Sequence, residues 1–256
     1  MSETSMLIDT DVYLPTPADI AVAEIPRAFG RNTVEGSLER TGLYPAASRT
    51  ASLGAYAAAR RAVDIVGSLV LLILLSPILA AIAGAIALDS GIPIIYRCER
   101  LGRHGRRITV LKFRTMRNGS HHHLADLLSA DEMRALEYSQ NRKLKNDPRR
   151  TRVGSFLRRS SLDELPQLLN VLAGEMSLIG PRPYFADELL KRTEAGEILS
   201  MRPGITGLWQ TNGRSDRTFE ERIAYDLDYV RGAGVRMDVR IMAQTLSAVF
   251  SGRGAY

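Results

Sequence analysis

A single cysteine, Cys98, stands among 256 residues, so no intramolecular disulfide can form and the composition gives no sign of an oxidising compartment. Aromatic residues make up only 6% of the chain, with one tryptophan, Trp209. No series of stacking aromatics and no recognised nucleic-acid motif is present, which argues against nucleic acid as a partner. No cleavable signal peptide is expected from these residues: the first of them carry acids in place of a basic region, and the first long apolar run begins only at Ala62. Internal repeats and low-complexity tracts are absent. What is there is 45% apolar residues, enough for a sizeable core, and a formal charge of +6, which suits an anionic membrane surface, a phosphorylated substrate or another polyanion.

Residues 1–54 mix Pro, Ser, Thr, Gly and scattered charge without periodicity and read as a loosely attached tail. Residues 55–90 contain the feature that sets the architecture. From Ala62 to Leu88 the only charged side chain is Asp64; Arg60 and Arg61 introduce the run, and Asp89, Ser90 and Gly91 close it. Such a stretch is apolar enough for a membrane. Ser76-Pro77 breaks its middle, and each half, at about 1.5 Å per residue, is shorter than a hydrocarbon core of roughly 30 Å. Both flanks are basic, with Arg97, Arg100, Arg103, Arg106 and Arg107 following the run. Because Lys and Arg stay on the cytoplasmic side, a hairpin that returns to its starting face satisfies both flanks. A kinked helix that spans the bilayer suits these residues equally well.

Residues 91–256 read as a separate catalytic unit. Ile94-Ile95-Tyr96 and Ile108-Thr109-Val110-Leu111 are β-rich runs joined through Gly102 to Gly105, a helical patch covers Leu124 to Tyr138, and helical patterns dominate from Arg149 to Tyr184. The last helix places Val239, Met242, Leu246, Val249 and Phe250 on one face, which could pack on the core or lie on lipid, packing being the more usual answer.

The densest polar constellation lies between Arg158 and Pro183, where Asp163 and Glu164 sit between basic and apolar blocks. Ser161 to Glu164 also fits a helix capping box, Ser161 as N-cap and Glu164 three residues on. Against the cap, an adjacent Asp-Glu pair with Arg158 and Arg159 upstream could hold a divalent cation and a pyrophosphate together, and a carboxylate can attack phosphorus. Arg182 lies between Pro181 and Pro183, a rigid turn suited to presenting a guanidinium to phosphate, although an exposed turn arginine is the better reading of that tripeptide by itself. Lys112, Arg114 and Arg214 are further candidate phosphate ligands, each with a solvated charge as the plain alternative. Trp209 could stack on a base or fill the core. His121-His122-His123 looks like a metal tract but has no accompanying acid or cysteine and reads as a surface loop.

Taken in order, the basic-flanked apolar segment with Ser76-Pro77, the block YRCERLGRHGRRITVLKFRTM, the block DELPQLLNVLAGEMSLIGPRP and the block RPGITGLWQTNGR resemble the bacterial sugar transferase family, the monotopic phosphoglycosyl transferases. The resemblance runs from Arg60 to Tyr256 and is most similar to rhizobial galactosyl transferases that begin exopolysaccharide synthesis. It implies a mostly helical α+β fold: a re-entrant membrane helix bent at Ser76 and Pro77, a small cytoplasmic catalytic domain and interfacial amphipathic helices. Relative to longer members with added N-terminal helices, it implies a minimal catalytic form. It assigns Asp163 as nucleophile on a UDP-sugar and Glu164, with Asp163, as ligand to Mg²⁺. Arg158, Arg182 and Arg214 are assigned to phosphate or nucleotide, and undecaprenyl phosphate would be the acceptor. The donor sugar would be galactose, then glucose. The implied location is the bacterial inner membrane with catalysis on the cytoplasmic face against anionic lipid; a homo-oligomer is left open. Two other classes suit the same residues: a Mg²⁺-dependent membrane phosphatase or pyrophosphatase using Asp163 and water, and a non-enzymatic basic membrane adaptor.

Overall fold

The computed structural model describes residues 50–120, 122–141, 144–213 and 217–251. Most of the sequence expected to form a tail therefore lies outside the described residues, as do His121 and Arg214. Helix α1 runs Thr50–Ser90 as one element with Pro77 inside it. A hairpin of strands β1 (Ile95–Leu101) and β2 (Arg107–Phe113) follows, antiparallel with Ile95 opposite Phe113 and Leu101 opposite Arg107. Strand β1 extends its β-rich run by five residues toward the turn, and β2 extends its run by one residue toward the turn and two away from it. Two short helices, α2 (His122–Ser129) and α3 (Glu132–Asn141), come next. The histidine tract expected as a loop thus enters a helix at His122.

Helix α4 (Arg152–Ser160) is capped by Thr151, whose side chain accepts from the Gly154 amide at 2.9 Å. Gly154 is needed there because a Cβ would fall 2.0 Å from the Thr115 carbonyl oxygen. A 3-10 turn, Leu162–Glu164, separates α4 from α5 (Gln167–Ala173). Strand β3 (Ser177–Ile179) pairs in parallel with β4 (Gly204–Thr206), and between them lie single-turn helices α6 (Ala186–Leu189) and α7 (Ala195–Ile198). Helices α8 (Leu208–Thr211), α9 (Phe219–Gly232) and α10 (Val235–Ser251) complete the chain. Helices dominate and the sheets are two small pairs, in keeping with the α+β expectation.

The main core gathers Ile108 and Val110 of β2, Leu168 and Val171 of α5, Leu178 and Ile179 of β3, Tyr229 of α9 and Ile241 of α10. A second cluster joins Ile82 and Ile86 of α1 to Phe113 and Leu157. Helix α1 is therefore attached to the rest of the chain near both ends. At its start, Arg61 donates to the Val171 and Leu172 carbonyls at 2.6 and 2.9 Å, and buried Asp64 accepts from Ser177 Oγ and the Leu178 amide at 3.0 and 2.8 Å. At its end, Asp89 accepts from the Val153 amide at 3.3 Å, and Ser90 from Arg114 at 2.8 Å. Between these anchors Leu69, Val70, Ile73, Leu74 and Ile78 are exposed. Among the described residues, α1 is the one helix long and apolar enough to cross a membrane.

The last helix does not pack the whole of its apolar face on the core, although Met242 does meet it. Val239 and Leu246 are 64% and 59% exposed, whereas Ile241 is buried. Its phase is set by polar anchors that a hydrophobic count ignores: Asp238 accepts from Tyr229 and Tyr56 hydroxyls at 2.8 and 2.6 Å, and Thr245 meets Thr206 at 2.7 Å. Asp238, Ile241 and Thr245 fall on one stripe at spacings of three and four, and that stripe faces the core.

Candidate active site

The acidic pair stands on the 3-10 turn between α4 and α5. Ser161 ends α4 in the left-handed region at φ 57°, which reverses the chain and aims the next three residues back at the β-hairpin. Its side chain makes no cap bond, and Glu164 points elsewhere, so the capping-box alternative fails. Glu164 Oε1 instead accepts from Lys112 Nζ at 2.7 Å, the lysine projecting from β2. Asp163 is buried beside it. Burial, and then the neighbouring charge of Glu164, push its carboxyl up to about 6, against the pull of Lys112 and Arg158. At neutral pH the group is therefore still mostly ionised.

Arg158, on the last turn of α4, donates from Nε to Thr115 Oγ1 at 3.0 Å; burial holds its guanidinium below the usual arginine range, and the Asp163 charge opposes this. Together Lys112, Arg158, Asp163 and Glu164 line a cavity of ≈ 770 Å³ that also reaches Arg182. The structure thus brings together five of the residues singled out in the sequence. Arg114 lines the cavity too, but its guanidinium is engaged elsewhere: Nη2 donates to the Ser90 and Gly91 carbonyls and Nη1 to Asn118 Oδ1, at 2.8, 2.6 and 2.6 Å. These bonds make it a brace for the exit of α1. Ser76 and Pro77 lie on the apolar helix, with Ser76 Oγ donating to the Ile73 carbonyl at 2.8 Å.

Residues not picked out in the sequence complete the far wall. The Arg182 amide and the Tyr184 hydroxyl both donate to Asp226 Oδ2, at 2.9 and 2.7 Å, which pins the Pro181-Arg182-Pro183 turn to α9. Fully buried, Asp226 has its carboxyl pushed up to about 7 by desolvation, more than those hydrogen bonds lower it. Arg222, also on α9, and Arg100, on β1, line the same cavity. Their signal was hidden, because charged residues in FEERIAYD or YRCER read as solvated surface until the packing is known.

Among the described residues no three His, Cys, Asp or Glu side chains gather into a metal cage. The dyad nonetheless fits Mg²⁺ in its usual mode, in which one or two carboxylates bind and phosphate oxygens and water fill the remaining positions. Two adjacent carboxylates in a buried turn also repel each other, and a divalent cation relieves that repulsion.

The model of the bacterial sugar transferase family matches residues 55–252, and the chain belongs to that family. It is 44% identical over 200 residues to the UDP-galactose-lipid carrier transferase of Erwinia amylovora, covering 77% of this chain and 41% of that protein. To the exopolysaccharide production protein ExoY of Rhizobium meliloti it is 41% identical over 199 residues, covering 77% and 88%. To the UDP-glucose:undecaprenyl-phosphate glucose-1-phosphate transferase of Escherichia coli it is 37% identical over 247 residues, covering 92% and 50%. The match spans half or less of the Erwinia and Escherichia proteins and most of ExoY.

Proposed function

We propose that this chain transfers a sugar-1-phosphate from a UDP-sugar to undecaprenyl phosphate, releasing UMP, through a phosphosugar carried on Asp163. Galactose-1-phosphate is the first choice of cargo and glucose-1-phosphate the second, in line with the names of the relatives. The observation that carries the reading is the position of Asp163, a buried but ionisable carboxylate in a cavity whose charged walls include Lys112, Arg158 and Arg182. In the first half-reaction a carboxylate oxygen of Asp163 attacks the sugar-bearing phosphorus and UMP leaves; in the second, the phosphate of the lipid attacks the same phosphorus and frees the aspartate. Arg158 offsets the charge of the phosphoryl oxygens, and Lys112 holds Glu164 in place beside the nucleophile. Asp163 and Glu164 would hold Mg²⁺, which when bound supplies charge neutralisation at phosphate oxygens.

A lipid acceptor requires the cavity near a bilayer. Helix α1 would enter one leaflet and return at Ser76-Pro77, with the catalytic unit on the cytoplasmic face of the inner membrane. In support, both ends of α1 are bonded to the same body. In a perpendicular span the ends would be separated by a hydrocarbon core of roughly 30 Å. Incubation with radiolabelled UDP-galactose or UDP-glucose, undecaprenyl phosphate and Mg²⁺ tests the reaction. Label extracted into organic solvent supports transfer, whereas label that stays aqueous as free sugar phosphate identifies a hydrolase and overturns it.

A further inference from the structure

The charged walls of the cavity carry both signs, Asp147, Asp187 and Glu188 as well as Lys112 and Arg158, so charge alone assigns no further role there. One neutral group stands apart from them. Gln167, the first residue of α5, is only 2% exposed and lines the same cavity. Among the described residues its side-chain amide has no hydrogen-bond partner, and neither of its polar atoms is sealed away from the open space. Buried polar groups are nearly always paired, because an unpaired one carries its full desolvation cost, and a methionine fills the same volume without that cost. The backbone shows where a partner for this amide belongs. Leu165 and Pro166 are both right-handed helical, so the 3-10 turn runs into α5 without a break and Gln167 follows Asp163 at a spacing of four, on the same side. Cβ atoms at that spacing lie about 5–6 Å apart. Long side chains on a helix lean toward its N-terminus, here toward Asp163. Amide and carboxylate are nonetheless not bonded to each other, and both face the cavity.

We propose that Gln167 is a further catalytic residue, whose Nε2–H donates to a non-bridging oxygen of the phosphorus as it is passed to and from Asp163. The assignment rests on the transfer reading above and deepens it. As a carboxylate oxygen of Asp163 bonds to the sugar-bearing phosphorus, the bond from that phosphorus to the bridging oxygen breaks and its electron pair leaves with UMP. When the lipid phosphate attacks, the bond from phosphorus to the Asp163 oxygen breaks and its pair returns to the carboxylate. Gln167 keeps both amide protons throughout. A neutral donor suits this position, because it meets charge on the phosphoryl oxygens without forming an ion pair that blunts the nucleophile.

The solubilised full-length protein is mixed with Mg²⁺ and UDP-galactose or UDP-glucose in the absence of lipid, quenched at successive times, and the phosphosugar adduct is counted by intact-mass spectrometry. Gln167→Met should form the adduct about 10²-fold more slowly than wild type, with the half-saturating donor concentration within about threefold, because the bond is strongest in the transition state. Gln167→Glu, whose carboxylate repels phosphoryl oxygens, should be slower still. Gln167→Met should melt no lower than wild type, since the amide it removes has no partner in the fold. A wild-type rate in Gln167→Met would make the amide a filler of space. A rate in Gln167→Glu equal to or above that of Gln167→Met would make it a metal ligand through Oε1, and a loss of rate matched by a loss of melting temperature would make it structural. Each of these outcomes overturns the assignment and leaves the transfer reading standing. No adduct on the wild type with either donor removes the transfer reading, and the assignment with it.

Discussion

Lys112 Nζ sits 2.7 Å from Glu164 Oε1, and this contact divides the roles of two carboxylates that are adjacent in the chain. Glu164 is partly exposed and balanced by a cation. Asp163 is buried, with its charge held by longer-range attraction to Lys112 and Arg158 and by a backbone hydrogen bond. A carboxylate tied up by a lysine is a poor nucleophile, so the geometry favours Asp163 for attack and Glu164 for support.

Asp163→Asn is therefore expected to lower turnover on the order of 10³-fold or more, with Glu164→Gln losing less. Membrane association should be unchanged in both. Intact-mass spectrometry with donor and Mg²⁺ should show a phosphosugar adduct on the wild type and none on Asp163→Asn; full activity in that variant would remove the nucleophile assignment.

Asp64 is buried on α1 and accepts from two donors of β3. Asp64→Ala leaves both without a partner, which costs about 1–3 kcal/mol, while Asp64→Asn keeps an acceptor. Thermal unfolding in detergent should rank wild type above Asn and Asn above Ala. Equal melting of all three would mean that the helix is held by its apolar contacts and its other polar anchors without Asp64.

Ser161 occupies the left-handed region, where a β-branched side chain is strained. Ser161→Val should lower kcat by displacing the turn that carries the dyad, while Ser161→Gly, which adopts that region freely, should keep activity. Steady-state rates for the two variants decide this.

The carboxyl of Asp226 has an ordinary value near 3.8 and is pushed up to about 7 in the folded protein. Between these values the folded chain holds a proton that the unfolded chain has lost. Stability from this group therefore falls as pH rises from about 4 to about 7 and is level above that. The slope of melting temperature against pH should be shallower in Asp226→Asn over that window. An identical slope would show that the buried carboxylate is ionised throughout.

For the returning helix, single cysteines at Ala57 and Ile92, both exposed, in a Cys98→Ser background should be labelled from the same side of sealed vesicles. Labelling from opposite sides would contradict the topology.

That the dyad, Lys112, Arg158 and Arg182 line one cavity was legible because each lies in a compact motif of mixed charge. Arg114 lies in such a motif too, yet its guanidinium goes to the exit of α1, a destination set by where the helix stops and not by its neighbours in the sequence. Arg222 and Asp226 were invisible: they come from α9, some forty residues beyond Arg182, and only the packing of α9 under the proline turn gives them meaning. Strands β1 and β2 were legible from β-branched runs, whereas β3, three residues inside a stretch that reads as helical, was not; on α10 only part of the apolar face meets the core, because Asp238 and Thr245, two polar residues, fix its rotation.

The turn bearing Asp163 is strung between α4 and α5, and these two helices hold different stretches of α1. Helix α5 takes Arg61 through its carbonyls, while α4 packs Leu157 on Ile82 and Ile86. Any hinge motion at Pro77 would shift one support against the other and shear the three residues between them. The apolar helix is thus mechanically in series with the turn that carries Asp163, and strain applied along α1 is carried to that turn through the backbones of α4 and α5.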